Sequence, residues 1–410
     1  MSVIVIAVAT DSGVPIFSRK RGNYDNIQFS TIASLHGINM FSKCHNLTLM
    51  KTLFDNGSIL WKEYCKSITL IGIVTGLECN LELLLSYVYN VMVFCIGKKE
   101  LETLKNTDQI KRELRQCYPI IDYLLETVDP SSVSQTCMFL DLIQCLLCPQ
   151  AHQLQQVLDS YSERVTGRWA CLSIHGYLVA TSSDFYELSS VEAKLLMMML
   201  AALQDGVPLR ETPIYLPQMS PNVAFRAVTC KLLADVYVLV ICGATPPLAE
   251  IDEIVLQCWE NSAHIIKEAK ILYPRNIPHS ITFEPCILGF LIVKISKKRC
   301  VFSRHLQGNQ KSKSMSGPQR IDILRTLFVA TARDLLPELQ INYEHDKESN
   351  DFECVPSETY WCSEYHKWHG RRIADLMACV LYAPTVPLHT IRLLTNQVLQ
   401  EISNSKEVFW

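Results

Sequence analysis

The sequence predicts an α/β (α+β) fold made three times in one chain, each copy an antiparallel sheet packed by helices. Three observations carry this. Apolar, β-branched runs fold back on themselves at three places. Each hairpin is followed by a helical pattern, more strands and a long amphipathic helix. The second and third copies also close alike, with Pro247-Leu248-x-x-Ile251 matching Pro387-Leu388-x-x-Ile391 at a separation of 140 residues.

The hairpins come first in each copy. Val3–Ala9 turns to Val14–Phe17, Trp169–Ser173 turns at His175-Gly176 to Tyr177–Ala180, and Ile287–Ile295 turns at Ser296–Lys298 to Cys300–Phe302. Gly13 and Gly176 permit the positive φ a tight turn requires, whereas the third turn has no glycine. Helices are expected next. Phe29–Phe41 is the first. Ser189 and Glu192 have the spacing of a capping box ahead of Val191–Leu203. Ile321, Leu324, Phe328 and Leu335 form one apolar stripe. Strands return at Ser58–Tyr64 and Ile68–Val74, at Val223–Leu233 and Val236–Cys242, and at Thr359–Glu364 and Arg372–Tyr382. Leu81–Leu104, Leu248–Leu272 and Leu388–Ile402 then read as closing helices, with proline at two of the entrances, where the N–H has no intrahelical partner.

Sheets of this kind bury an apolar face only under helices, so each copy should be an α/β sandwich of about 120 residues. The expected domains are 1–125, 161–275 and 280–410, with a helical linker at 126–160; the extra helical stretches between the first two copies are Thr107–Leu125 and then Ser132–Leu147. Ser303–Arg320 and the acidic stretch Tyr343–Glu358 read as solvated loops.

Composition narrows the function. Of 410 residues, 49% are apolar and 19% charged, with 38 Lys and Arg against 41 Asp and Glu. The chain is globular, and so near a balance of charge gives no field to hold nucleic acid over its whole surface. Seventeen cysteines scattered through apolar runs read as reduced thiols of an intracellular protein. Val3–Ala9 has the Ala-x-Ala end of a signal core but lacks a basic start, so a buried strand is expected instead. No run offers the 18 or so apolar residues of a spanning helix.

Reactive motifs are missing. There is no G-x-x-x-x-G-K-[ST] loop to cradle phosphates, no G-x-G-x-x-G, no G-x-S-x-G elbow and no H-E-x-x-H helix. Cys354, Cys362, His366 and His369 gather metal-ligating types, but their spacings do not match the paired turns that bring four ligands to one tetrahedral zinc, and a strand with a connector is expected. Cys145-Leu146-Leu147-Cys148 lacks a second pair, and Met197-Met198-Met199 reads as core filling. No catalytic residue, metal or cofactor is expected.

One charge feature remains. Between Glu284 and Asp322 no acid occurs, while Lys294, Lys297, Lys298, Arg299, Arg304, Lys311, Lys313 and Arg320 do. Cations on a hairpin tip and its loop suit an anionic membrane surface, at about 1 kcal/mol for each basic side chain held near it. A solvated loop is the plain alternative. Nucleic acid fits less well, because no aromatic stacking platform accompanies the patch.

Several segments carry a family resemblance: Ser12-Gly13-Val14-Pro15-Ile16-Phe17, Ser34-Leu35-His36-Gly37, Met40-Phe41, Ser67-Ile68-Thr69-Leu70-Ile71, Pro213-x-Tyr215-Leu216-Pro217 and Lys298-Arg299-Cys300-x-Phe302. With them the whole chain resembles the triple-longin family, three tandem longin-like domains found in heterodimeric Rab exchange factors. More specifically, it is similar to the planar cell polarity effectors of the CPLANE complex. The resemblance implies a non-enzymatic subunit pairing with Inturned and with the β-propeller protein Fritz. It also implies action on a Rab-type or Rab-like GTPase, phosphoinositide binding, and recruitment of intraflagellar transport particles at ciliary basal bodies. A structural adaptor in vesicle or ciliary traffic without exchange activity is the alternative. On this reading Lys297, Lys298, Arg299, Arg304, Lys311 and Lys313 face phosphoinositide head groups. Ile16, Phe17, Leu35 and Met40 face the partner, with Val14–Phe17 as an edge open to strand addition.

Overall fold

The computed structural model describes residues 2–22, 27–76, 80–103, 107–128, 142–202, 207–303, 317–335 and 356–404. Two compact units hold them: Met1–Met138 with Met198–Gly206 and Glu211–Val228, and Phe139–Met197 with Val207–Arg210 and Thr229–Trp410.

The first sheet has β1 (Ser2–Ala9), β2 (Pro15–Gly22), β3 (Lys51–Phe54), β4 (Gly57–Tyr64) and β5 (Ile68–Thr75) in the order β2-β1-β5-β4-β3. Every residue of β1 is buried, because the sheet is covered on both faces. Ile4, Ile6 and Val8 point to one side, where Ile32 and Leu35 of α1 (Phe29–Cys44) join Trp61 and Ile71 in one cluster. On the other side Gly72 lets Leu81 and Leu85 of α2 (Leu81–Ile96) approach, and a Cβ there would lie 3.1 Å from Leu81. Asn80 caps α2 by accepting a hydrogen bond from the Leu83 N–H at 3.0 Å. Gly97 stops it at φ +91°, so the helix expected to run to Leu104 breaks into α2 and α3 (Lys98–Thr103). The first domain ends with α4 (Thr107–Glu113) and α5 (Tyr118–Val128).

The same topology returns twice. After β6 (Ile143–Gln144) and α6 (Ala151–Arg164), the second sheet takes β7 (Gly167–Ile174), β8 (Tyr177–Thr181), β9 (Leu209–Leu216), β10 (Ser220–Leu233) and β11 (Val236–Cys242) in the order β8-β7-β11-β10-β9. Its helix α7 (Ser190–Ala202) opens on the expected capping box. The Ser189 hydroxyl accepts from the Glu192 N–H at 3.2 Å, and the Glu192 carboxylate accepts from the Ser189 N–H at 3.1 Å. Met197, Met198 and Met199 are buried. The closing helix divides into α8 (Leu248–Trp259) and α9 (Ala263–Ile271) around a tight turn at Glu260–Ser262.

The third sheet takes β12 (Ile287–Lys294), β13 (Arg299–Ser303), β14 (Glu358–Cys362), β15 (Lys367–Ile373) and β16 (Leu376–Tyr382), with α10 (Gly317–Leu335) and α11 (Leu388–Asn404). Its order, β14-β15-β16-β12-β13-β6, repeats the other two and adds β6 beyond β13. That addition corrects the linker. Ile143–Gln144, expected in a helix, is extended and pairs parallel to Arg299–Cys300, while the Leu146 N–H donates to Leu178 of β8. The segment Leu142–Cys148 thus stitches the second and third sheets, and its apolar run serves burial between strands. The rest of the expected helix, from Ser132, lies outside the described residues.

Candidate functional site: an uncharged face on the first domain

From Phe29 to Ser42 helix α1 has no Asp, Glu, Lys or Arg, and its one titratable side chain, His36, is on the buried side. One side is covered: Ile32, Leu35, His36 and Asn39 are buried against the sheet. The other meets solvent with Ser30, Ser34, Gly37, Ile38 and Phe41, and a Cβ built on Gly37 would find nothing within 4 Å. Phe41 is 67% exposed and Phe29 69%. The outer side is small and uncharged, with Ile38 and Phe41 as its exposed apolar side chains.

The helix is fixed over β4. The Trp61 indole donates to the Leu35 carbonyl at 3.2 Å, and Lys43 forms an ion pair with Glu63. Beside β4 runs β3, an edge strand whose four residues are all exposed, Leu53 at 73%. Leu47 and Met50 lead into it and are exposed too. Edge strands on soluble proteins are usually blunted by charge or covered. This one carries a charge only at its first residue, Lys51, and presents Leu53 and Phe54 beyond it.

The four residues expected to face a partner lie differently. Ile16, Phe17 and Leu35 are buried in the chain's own core, and Met40 is half-buried. β2 is an edge strand, as expected, but α5 packs on it. Phe17 and Tyr118 rings lie 6.0 Å apart, the Arg19 Nε donates to Asp122 at 2.7 Å, and Arg21 pairs with Glu126 at 3.1 Å. The open edge is therefore β3. Sequence reasoning passed over it, although Asn56-Gly57 is a strong hairpin signal that would have placed a strand before it.

The basic hairpin departs from the expectation at Arg299. Arg299 is only 7% exposed, and its guanidinium sits 4.6 Å from the Tyr186 ring and donates to the Tyr186 hydroxyl at 3.3 Å. Lys297 places its ammonium 4.3 Å from the same ring. Lys297 and Lys298 are half-buried; Arg304, Lys311 and Lys313 lie outside the described residues. The missing turn glycine is replaced by Lys298 at φ +47°. Asp375 holds the turn by accepting from the Ser296 N–H at 2.7 Å and from the Ser296 hydroxyl at 2.6 Å.

In the third domain His369 is buried on β15, its Nδ1 2.7 Å from the Thr395 hydroxyl and its Nε2 3.7 Å from Glu358. Burial drives its pKa down to about 4, with Glu358 opposing. Cys362 is exposed at the far end of β14, opposite Lys367. No three metal-ligating side chains converge among the described residues; Cys354 lies outside them. Nor is any described helix long and apolar enough to cross a membrane.

Comparison with known proteins matches all three domains. Residues 4–124, 168–260 and 286–406 match, in turn, the first, second and third longin domains of FUZ, MON1 and HPS1. The chain is 29% identical over 415 residues to the Protein fuzzy homolog of Xenopus tropicalis, covering 97% of each. To that of Homo sapiens it is 30% identical over 349 residues, covering 82% of this chain and 81% of the relative. To that of Rattus norvegicus it is 27% identical, covering 98% and 97%.

Proposed function

The chain belongs to the Fuzzy family of triple-longin proteins, and from that premise we propose that it is a planar cell polarity effector acting as a non-enzymatic interaction subunit. Its first domain takes a longin domain of a second chain, Inturned, on the face made by α1 and β3. The observation that carries this reading is the exposed, uncharged outer side of α1 next to an uncovered strand edge. Joining β3 to a partner strand would satisfy its free backbone groups, and Phe41, Ile38 and Leu53 would lose water together.

The pair then acts as an exchange factor for a Rab-type GTPase. Such a factor needs no nucleophile, only a surface that binds the switch segments more strongly when the nucleotide is absent. The β-propeller protein Fritz completes the complex, which works peripherally on phosphoinositide membranes at ciliary basal bodies and promotes recruitment of intraflagellar transport particles. Lys297 and Lys298 are the described residues proposed for the lipid contact, and Arg299 is withdrawn from it by its burial.

Two measurements test the reading. Phe41→Asp and Leu53→Asp should abolish co-purification with Inturned while leaving the melting temperature of the chain alone unchanged, since both side chains are exposed. Intact heterodimer should release labelled nucleotide from the GTPase faster than the intrinsic rate. Release at the intrinsic rate would leave a structural adaptor without exchange activity.

A further inference from the structure

Tyr186 is an unusual tyrosine. It lies on the short helical turn Ser183–Glu187, 38% exposed, between Phe185, which is buried, and Glu187. Two cations from β13 and its turn, Lys297 and Arg299, approach its ring at 4.3 Å and 4.6 Å. The ring face attracts both cations, but at the phenol oxygen the buried Arg299 meets only a neutral acceptor. Arg299 is buried, yet among the described residues no carboxylate lies within ion-pair distance of it, and its guanidinium donates to the Tyr186 hydroxyl at 3.3 Å. A buried guanidinium ordinarily has an anion. Burial pushes the Tyr186 phenol up, but Arg299 and Lys297 outweigh it and hold the group below its usual value, so the surroundings favour negative charge on that oxygen. Nearby acids are already engaged or turned aside: Glu187 pairs with Arg168 at 2.9 Å, and Asp184 accepts from Ser183. Beside Tyr186 and Arg299 lies a cavity of about 20 Å³, also lined by Gln155 and Thr181, large enough for one water or a phosphate oxygen.

We propose that Tyr186 is a site of tyrosine phosphorylation and that Arg299 and Lys297 form a ready-made receptor for its phosphate. A tyrosine kinase with Mg·ATP supplies the group. The phenolic oxygen bonds to the γ-phosphorus, the bond to the β-phosphate bridging oxygen breaks, ADP departs, and the phenol proton goes to the kinase base. The product dianion replaces a weak neutral hydrogen bond with charge-assisted ones to Arg299 and an ion pair to Lys297. Because Tyr186 belongs to the second domain and both cations to the third, and because β6 already joins the sheets at the same place, the phosphate tightens the seam between them. It also removes Lys297 from any lipid surface.

The test uses the full chain, a broad-specificity tyrosine kinase, Mg·ATP and peptide mapping by mass spectrometry, with Tyr360 and Tyr365, 67% and 75% exposed, as internal controls. Phosphate should appear at Tyr186 and vanish in Tyr186→Phe. Amides of Arg299–Ser303 and Ile143–Gln144 should then exchange hydrogen at least about tenfold more slowly than in the unmodified chain. Lys297→Ala, which spares the buried arginine, should lose much of that protection and still fold. Label on Tyr360 and Tyr365 with none on Tyr186 overturns the proposal. So does labelled Tyr186 with exchange unchanged or faster. If no tyrosine is labelled, phosphotyrosine installed at 186 during translation gives the same exchange comparison and decides the receptor.

Discussion

The imidazole of His36 packs onto Gly13 so closely that a Cβ on the glycine would stand 2.4 Å from its Cδ2. Gly13 is in the turn between β1 and β2, and His36 is on the inner side of α1. Two of the short segments that carried the family resemblance are thus in contact, and each limits the other. Gly13 also has φ +66°, so any side chain there meets backbone strain as well as the ring.

Gly13→Ala should therefore cost about 2–4 kcal/mol, combining a left-handed alanine with the displacement of His36. Urea unfolding of the two proteins measures it. A cost below about 0.5 kcal/mol would mean that the turn and helix shift apart freely, and that the contact does not fix α1.

Much of the fold was legible because the signals were local. β-branched runs around Gly13 and Gly176 mark hairpins, and Ser189 with Glu192 marks a helix start within four residues. The third hairpin resisted for a physical reason. Its turn depends on Asp375, some 79 residues away, holding Ser296 while Lys298 takes the left-handed conformation. β3 resisted because four exposed residues have no buried face and so no alternation. The candidate interface was harder still. Ile16 and Leu35 look identical in sequence to partner-facing residues, and only the packing of α5 on β2 and of Trp61 on α1 reveals that the chain covers them itself.

Removing the Asp375 carboxylate should show how much that remote support matters. Asp375→Ala leaves the Ser296 N–H and hydroxyl without their acceptor, and a loss of about 1–3 kcal/mol is expected, since a charged acceptor is removed. Hydrogen exchange should quicken at β12 and β13 before it does in the first sheet. Uniform acceleration over all three sheets would contradict the local role.

Acid should weaken the fold through two histidines. His36 is held below its ordinary 6.5 by burial and then by Lys43. His369 is held at about 4 by burial, with Glu358 opposing and Arg371 and Arg392 reinforcing. Between roughly pH 6.5 and 4 the unfolded chain binds protons that the folded chain refuses, so stability is full above this window and falls as pH drops through it. His369→Gln keeps a partner for Thr395 but cannot titrate. The variant should show a shallower decline between pH 7 and 5, the two proteins' difference narrowing by about 1–2 kcal/mol. Equal slopes would place the proton uptake elsewhere.

Gly37→Arg separates folding from binding at the proposed interface. On an exposed helix position arginine is a better helix former than glycine by about 0.5–1 kcal/mol, and a Cβ at 37 meets nothing within 4 Å. The variant chain should be as stable as the parent or slightly more so. If the outer side of α1 lies against a partner, a charged side chain in the middle of that side, three residues before Met40 and four before Phe41, introduces a cation with no acidic residue on the helix to pair with it. Affinity for the partner chain should fall at least about tenfold, which corresponds to about 1.4 kcal/mol. Unchanged affinity together with raised stability would move the interface off α1 and leave β3 to account for it alone.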